Sequence, residues 1–449
     1  MPTRLIAERS MNDWREYYRT RTVTPEQAVA IIKSGHRVAF TTGNEPTALS
    51  LALLARAPDL RGVTLFLPTP SRDFGWYDEG FEQNFTIEVG YILPVVREMV
   101  AQRRADYNVQ TLRVEYGPFD RPADVALVEL SPPDEQGKCS FGASLWNKKA
   151  EVMSAKVVLA EVNDRLIRTG GENAIHVSEI DYFVPHATTG RAPGATDLLG
   201  RKQAEPEQAE QEIGRHVASL IRDGDTLQIG VGSTSEWVAR LGVLDGKSDL
   251  GWHSETTPNG IIKLVRKGVI TGKRKTRHAG KVVCTAVGGG DIEDMRFVNG
   301  NSLFELYPAA YILDPRVISS HDNMVAINSA VAVDLTGQIA AESLGPTMVS
   351  GSGGHLAFAT GANLSKGGRY ICVMPSTAKD GKVSRITAAH AQGSIVTVPR
   401  TLAHYVVTEH GIADLRGRSQ RGRAEALIAI AHPDFRQELR AAAKRLYWP

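Results

Sequence analysis

Cysteine is scarce: the 449 residues hold three, Cys139, Cys284 and Cys372, an odd count spread along the chain. That argues against a disulfide framework or a CxxC zinc site and for a reducing, cytoplasmic setting. Long apolar runs are missing too, and none approaches the ~18–20 residues that span a bilayer, so no membrane role is expected. The first twenty residues include Arg4, Glu8, Arg9, Asp13, Arg15, Glu16 and Arg19, which leaves no apolar secretory segment. Nor is one charge in excess. Lys and Arg number 52 against 50 Asp and Glu, so no basic field invites nucleic acid.

Familiar nucleotide and metal signatures are absent as well. A dinucleotide fingerprint needs GxGxxG, but Gly230-x-Gly232 runs on to Ser235 and Gly351-x-Gly353 to Leu356. No glycine satisfies the P-loop pattern. The 12 histidines lack HxH or HxxxH spacing, so no metal site is expected. GxSxG is missing, which leaves the serine-hydrolase elbow unsupported.

What is present is a globular balance: 42% hydrophobic and 23% charged residues, long enough for two or three domains. The 42 glycines concentrate in short loops after apolar runs. Thr24-Pro25-Glu26-Gln27 starts a helix by capping-box logic, and the helix is expected to end near Ser34-Gly35. A strand follows at His36–Phe40, then a loop through Gly43, then a helix at Thr47–Ala57. The order recurs later: a helix opening in Arg201–Gln211, a strand at Asp225–Ile229, a loop at Gly230–Gly232 and a helix at Ser235–Leu241. Further strands are expected at Val125–Leu130, Lys156–Val162, Lys281–Val287, Met324–Val333, Tyr370–Met374, Ile395–Val398 and His404–Thr408. Continuous Val/Ile/Leu runs favour sheets covered on both faces. The expectation is an α/β protein of two similar domains, each a mainly parallel sheet flanked by helices. The boundary falls in the polar stretch Thr188–Gln211, giving residues 1–200 and 201–449.

The most unusual local run is LGWHSETTPNG, Leu250–Gly260, with one carboxylate, Glu255, among polar and turn-forming residues. Two readings stand open: an exposed loop acid, or a nucleophilic carboxylate, which must be ionised, positioned and set in a partly dry cleft. Spacing alone does not choose between them.

Longer matches do. They are ALVELSPPDEQGKCSFG (Ala126–Gly142), LQIGVGSTSEWV (Leu227–Val238), LGWHSETTPNGI (Leu250–Ile261), INSAVAVDLTGQ (Ile327–Gln338), SGSGGHLAF (Ser350–Phe358), GANLSKGG (Gly361–Gly368) and YVVTEHGIADLRG (Tyr405–Gly417), with the Gly43-Asn44-Glu45-Pro46 loop. With these segments the chain resembles the acetyl-CoA hydrolase/transferase family of CoA-transferases, from about Thr24 to Arg440. The resemblance implies that Glu255 attacks an acyl-CoA thioester and carries CoA as a glutamyl thioester. No cofactor is bound permanently; coenzyme A enters as substrate, with a small carboxylic acid as acceptor. A homodimer or higher homo-oligomer is expected, with the site between domains.

The resemblance also assigns an oxyanion donor to the GxGG turn at Gly351, Gly353 and Gly354, with Gly354 the donor. Gly230, Gly232, Gly351, Gly353, Gly354 and Lys366 are candidates for CoA contact, and basic candidates for its phosphates include Lys263, Arg266, Lys267 and Lys273-Arg274-Lys275. Where relatives carry an asparagine donor, this chain reads Ser320-His321-Asp322-Asn323. Either His321 supplies an N–H, more strongly if protonated, or the donor is lost or moved to Asn323. Relatives follow the turn with an acid and an arginine where Ala357 and Thr360 stand, which leaves the acyl group open. Two alternatives to CoA transfer remain: hydrolysis through the same glutamate, and a CoA-binding protein without catalysis.

Overall fold

The computed structural model describes residues 13–43, 45–109, 122–187 and 205–447. The chain forms two compact units, Met1–Arg201 with Met295–Ala310, and Lys202–Asp294 with Tyr311–Pro449. Most of the expected boundary, residues 188–204, and Asn44 lie outside the described residues. Residues 295–310 belong to the first unit because Phe304–Leu306 pairs in parallel with Gly170–Gly171, and Ala309 N–H donates to Trp146 O at 3.0 Å. Sequence order gave no hint of that excursion.

The first unit is built on a seven-stranded sheet: β1 Arg37–Phe40, β2 Val63–Leu67, β3 Phe85–Val89, β4 Ala105–Tyr107, β5 Val125–Leu130, β6 Val157–Val162 and β7 Tyr182–Pro185. Their order is β7-β6-β5-β1-β2-β3-β4, every pair parallel. The β5 run VALVEL is buried throughout, as a strand covered on both faces requires. Helix α1, Pro25–Val29, starts with the expected capping box: Gln27 N–H to Thr24 Oγ1 at 3.3 Å, Thr24 N–H to Gln27 Oε1 at 3.0 Å. It is shorter than expected. Beyond Val29 the chain tightens into three-residue turns, Ile32 N–H to Val29 O and His36 N–H to Lys33 O. Helix α2, Thr47–Ala55, is fastened to the sheet by Glu161. One of its oxygens accepts from the N–H groups of Ala48 and Leu49 at 2.7 and 3.1 Å; the other meets His186 Nδ1 at 2.6 Å.

The second unit has strands β8 Thr226–Ile229, β9 Gly251–Thr256, β10 Val282–Ala286, β11 Met324–Ser329, β12 Arg369–Val373, β13 Tyr405–Thr408 and β14 Gly411–Asp414, and its helices include α3 Gln208–Leu220, α4 Ser235–Arg240, α5 Ile261–Arg266, α6 Pro315–Ser319 and α7 His355–Leu364. They lie in the order β14-β13-β12-β11-β8-β9-β10, parallel except for the β13–β14 hairpin. The expected α/β architecture with large parallel sheets is therefore what the chain adopts. Two strand expectations fail. Ile395–Val398 forms no strand; Val398 makes one isolated bridge to Ile339. Met324–Val333 breaks after Ser329, because the chain leaves the sheet to form Ala332–Asp334 against Ile339–Ala340. Conversely, β9 was not foreseen: its sequence GWHSET is polar and starts with glycine, yet five of its six residues are buried.

In this sheet the strand order reverses between β8 and β11. Open parallel sheets bind ligands outside the carboxyl ends of their strands, at such a reversal. Glu255 is the penultimate residue of β9, the strand beside β8. Among the described residues, no helix is long and apolar enough to cross a membrane.

Candidate active site

Glu255 stands on a strand, not in the polar loop that its neighbours in sequence suggest. The backbone of β9 is paired on both sides, with β8 and β10, so the carboxylate projects from a rigid support. The side chain keeps a partly exposed edge while the surrounding protein withholds water from the carboxyl. That burial pushes its pKa up to about 7, against the opposing pull of a hydrogen bond from the backbone N–H of Gly354. A carboxylate held this way is reachable, only marginally ionised and poorly solvated, the condition for a nucleophile.

Gly354 belongs to the turn Gly351-Ser352-Gly353-Gly354 that leads into helix α7, His355–Leu364. Gly353 has φ +52°, a left-handed backbone that favours glycine. Gly354 has an ordinary φ of −87°, so its requirement is spatial. A Cβ there would lie 2.3 Å from Glu255 Oε2 and 2.5 Å from Leu313 Cδ2. The missing side chain is what brings backbone N–H and carboxylate together. Phe358, one turn into α7, lies edge-on to His253 at 6.4 Å between ring centres.

Gly230 and Gly232, after β8, are explained by packing. A Cβ on Gly230 would meet Asn328 Oδ1 at 2.7 Å, and one on Gly232 would meet Ser329 Oγ at 2.5 Å. Both contacts are with the carboxyl end of β11. There Asn328 and Gln228 exchange two side-chain hydrogen bonds of 3.0 Å, a buried amide pair that sequence reading passed over. The Gly351–Gly354 turn and the β8 loop thus lie at the same edge of the parallel sheet as Glu255.

Lys366 does not. Its carbonyl accepts from Asn323 N–H at 2.8 Å, just before β11 begins, about 15–20 Å of strand from Asn328. Its side chain is 87% exposed and 3.9 Å from Asp322. Asn323 is exposed at that same far edge. Other basic candidates are already engaged: Lys267 with Asp245 at 2.7 Å, Arg266 with Asp294 at 3.4 Å, and Lys275 with the carbonyls of Trp252 and Lys281 at 2.8 and 3.0 Å.

His321 is fully buried, with its ring 4.6 Å from that of His253. Among the described residues, neither of its ring nitrogens has a hydrogen-bond partner, and His253 Nδ1 has none. His253 Nε2 lies 3.0 Å from Ile312 O and donates to it. Burial, reinforced by Lys275, His278 and Arg277, drives the His321 pKa down to about 3. His253 is pushed well below the usual range, chiefly by burial and then by His321 and Lys275. Both are neutral near pH 7, so a protonated His321 donor does not arise.

Helix α7 also carries a residue that sequence reading used only as a spacer. His355 is buried and its Nε2 lies 2.6 Å from Tyr370 Oη.

Comparison with known proteins gives these features a context. The model of the acetyl-CoA hydrolase/transferase N-terminal domain matches residues 7–189, and that of the C-terminal domain matches 290–443. The chain is 41% identical to the 4-hydroxybutyrate coenzyme A transferase of Clostridium kluyveri, over 97% of this chain and all of that one. Among solved structures it resembles RipA from Yersinia pestis, with a TM-score of 0.88 at 32% identity, covering 97% of this chain and 100% of RipA. It also resembles a 4-hydroxybutyrate CoA-transferase from Porphyromonas gingivalis, with a TM-score of 0.77 at 36% identity and the same coverage. A glutamate at a parallel-strand end, a glycine turn against it and matches at this depth lead to one conclusion: the chain belongs to the acetyl-CoA hydrolase/transferase family.

Proposed function

We propose that the protein is an acyl-CoA:carboxylate CoA-transferase that carries CoA on Glu255. The observation that supports this most is the Glu255 carboxylate, partly exposed at the end of β9, raised to about 7 by burial and met by the Gly354 N–H. The names of the C. kluyveri and P. gingivalis relatives support a short-chain acyl group.

Glu255 attacks the thioester carbonyl and expels CoA as a thiolate, leaving a mixed anhydride. The thiolate returns to the glutamyl carbonyl and releases the first acid, leaving a glutamyl-CoA thioester. An incoming carboxylate reverses both steps, and every intermediate keeps its electrons and protons in balance without a water. Return of the thiolate to the glutamyl carbonyl places negative charge on an oxygen of Glu255 itself. The Gly354 N–H already addresses that carboxylate, so the donor is in place before the charge develops. Coenzyme A is bound as substrate, and the Gly351–Gly354 turn with the β8 loop is the proposed line of approach for its thioester.

The test is chemical. Incubation with a short-chain acyl-CoA followed by borohydride should reduce a glutamyl thioester to an alcohol at Glu255, located by peptide mass. Free carboxylates resist the reagent. Turnover without any such modification, or modification elsewhere, would remove this reading.

A further inference from the structure

We infer that the hydrogen bond between His355 and Tyr370 holds the Gly353–Gly354 turn at the Glu255 carboxylate, which makes both side chains positioning residues of the reaction. This rests on Glu255 being the nucleophile.

Backbone bonds hold the two ends of the turn, Val349 and Ser350 N–H to Glu342 O at 2.8 and 3.2 Å and Phe358 N–H to Gly354 O at 3.0 Å, and leave its orientation toward the sheet to side chains. Gly351, Gly353 and Gly354 lack side chains, and Gly354 caps α7 without a side-chain hydrogen bond. Within the turn the closing bond is a long one, His355 N–H to Ser352 O at 3.3 Å. From Gly351 to His355, His355 is the residue whose side chain bonds to the sheet, at 2.6 Å to Tyr370 Oη. Tyr370 is a rigid anchor. It is fully buried in β12, and β12 is in register with β11, Ala326 opposite Tyr370 and Asn328 opposite Cys372. Its hydroxyl also addresses the Cys372 thiol two residues on. The body of α7 is fixed separately. Gly361 lies so close to helix α6, Pro315–Ser319, that a Cβ would come 2.4 Å from Ile318 Cβ. Those contacts set where the helix lies; the His355–Tyr370 bond sets how its first residue, and with it Gly354, is turned toward the sheet.

The bond is between neutral groups. Burial pushes His355 down to about 4 and Tyr370 well above its usual range. His253 and His321, which lie toward the same end of α7 through Phe358, are also neutral near pH 7. Lys275 Nζ donates to the carbonyls of Trp252 and Lys281. The group left to titrate near pH 7 among these is Glu255, so its ionisation reports how firmly the Gly354 N–H is held against it.

The experiment is single-turnover release of CoA from an acyl-CoA, measured from pH 5 to 9 in wild type, Tyr370→Phe, His355→Leu, His355→Gln and the Tyr370→Phe/His355→Leu double variant. Loosening the turn weakens the bond that lowers the Glu255 pKa. Tyr370→Phe and His355→Leu should therefore move the rising midpoint up by ~0.5–1 pH unit, costing ~3–10-fold more rate at pH 6 than at pH 9. His355→Gln, which can still bond to the tyrosine, should keep the wild-type midpoint within ~0.2 unit. The double variant should shift no further than either single one. Tyr370→Phe preserves the ring, and a melt at pH 7 verifies the fold. A folded Tyr370→Phe enzyme with the wild-type midpoint, whatever its kcat, would overturn the inference. Borohydride labelling of Glu255 is run alongside: lost labelling in wild type removes the nucleophile, whereas intact labelling with unshifted midpoints removes the positioning role alone.

Discussion

The backbone N–H of Gly354 bonds to the Glu255 carboxylate across a gap so narrow that a Cβ on the glycine would come within 2.3 Å of Glu255 Oε2. One residue comes from a strand end and the other from a helix cap nearly a hundred positions later. Their meeting sets two opposed effects on one group: burial makes the carboxylate costly to ionise, and the N–H recovers part of that cost.

Replacing Glu255 by Gln should abolish turnover, by ~10³-fold or more, while raising stability at alkaline pH. The folded protein holds the Glu255 proton up to about 7, against 4.5 for the free side chain. The stabilising contribution is therefore full below 4.5 and is lost as pH rises through 7. Allowing for the partly exposed edge, ionisation costs about 1–3 kcal/mol at pH 8. Thermal melts should show Glu255→Gln a few degrees above wild type at pH 8 and level with it at pH 4. A variant no more stable at pH 8 would mean the carboxyl is not desolvated.

The rate of CoA release in a single turnover should climb with pH to a midpoint near 7, because only the carboxylate form attacks. No fall should follow from His321, which is neutral down to about 3. A stopped-flow profile flat from pH 5 to 9 would contradict the raised pKa.

Gly354→Ala should lower kcat ~10²–10³-fold with the fold intact, the usual consequence of losing one oxyanion donor. Its φ suits alanine, so the effect is contact with Glu255 and Leu313 rather than backbone strain. Circular dichroism with steady-state kinetics decides: a folded variant with half the wild-type kcat would make the turn purely structural.

His321 should matter more for acid stability than for rate. Its folded pKa is about 3 against a usual 6.5, so its contribution is full above 6.5 and is lost as pH falls toward 3, about 2 kcal/mol by pH 5. His321→Asn should flatten that loss in urea titrations and keep kcat within ~3-fold. A His321→Ala enzyme ~100-fold slower, with the rate restored by His321→Asn, would instead make it an oxyanion donor.

Local chemistry was legible in the sequence. The Thr24–Gln27 capping box, the buried VALVEL strand and the alternation of strand, glycine loop and helix follow from propensity and periodicity, which act over a few residues. The choice of Glu255 came from elsewhere, from the resemblance that the segments around it bear to the family. Only tertiary structure decided what those residues experience. Glu255 looked like a loop acid because its polar neighbours Ser254, Thr256 and Thr257 mask the strand; pairing with β8 and β10 makes the strand, and such pairing is non-local. His321 could have been a cation until burial beside His253 and Lys275 removed that state. Lys366 follows the glycine turn closely in sequence, yet the length of α7 carries it to the opposite edge of the sheet from Glu255. His355 gained its role from Tyr370, fifteen residues on and one secondary-structure element away. Side-chain identity is a property of the chain, but desolvation, register and which groups face each other are properties of packing. In this protein those settle the pKa of Glu255 and the place of Gly354.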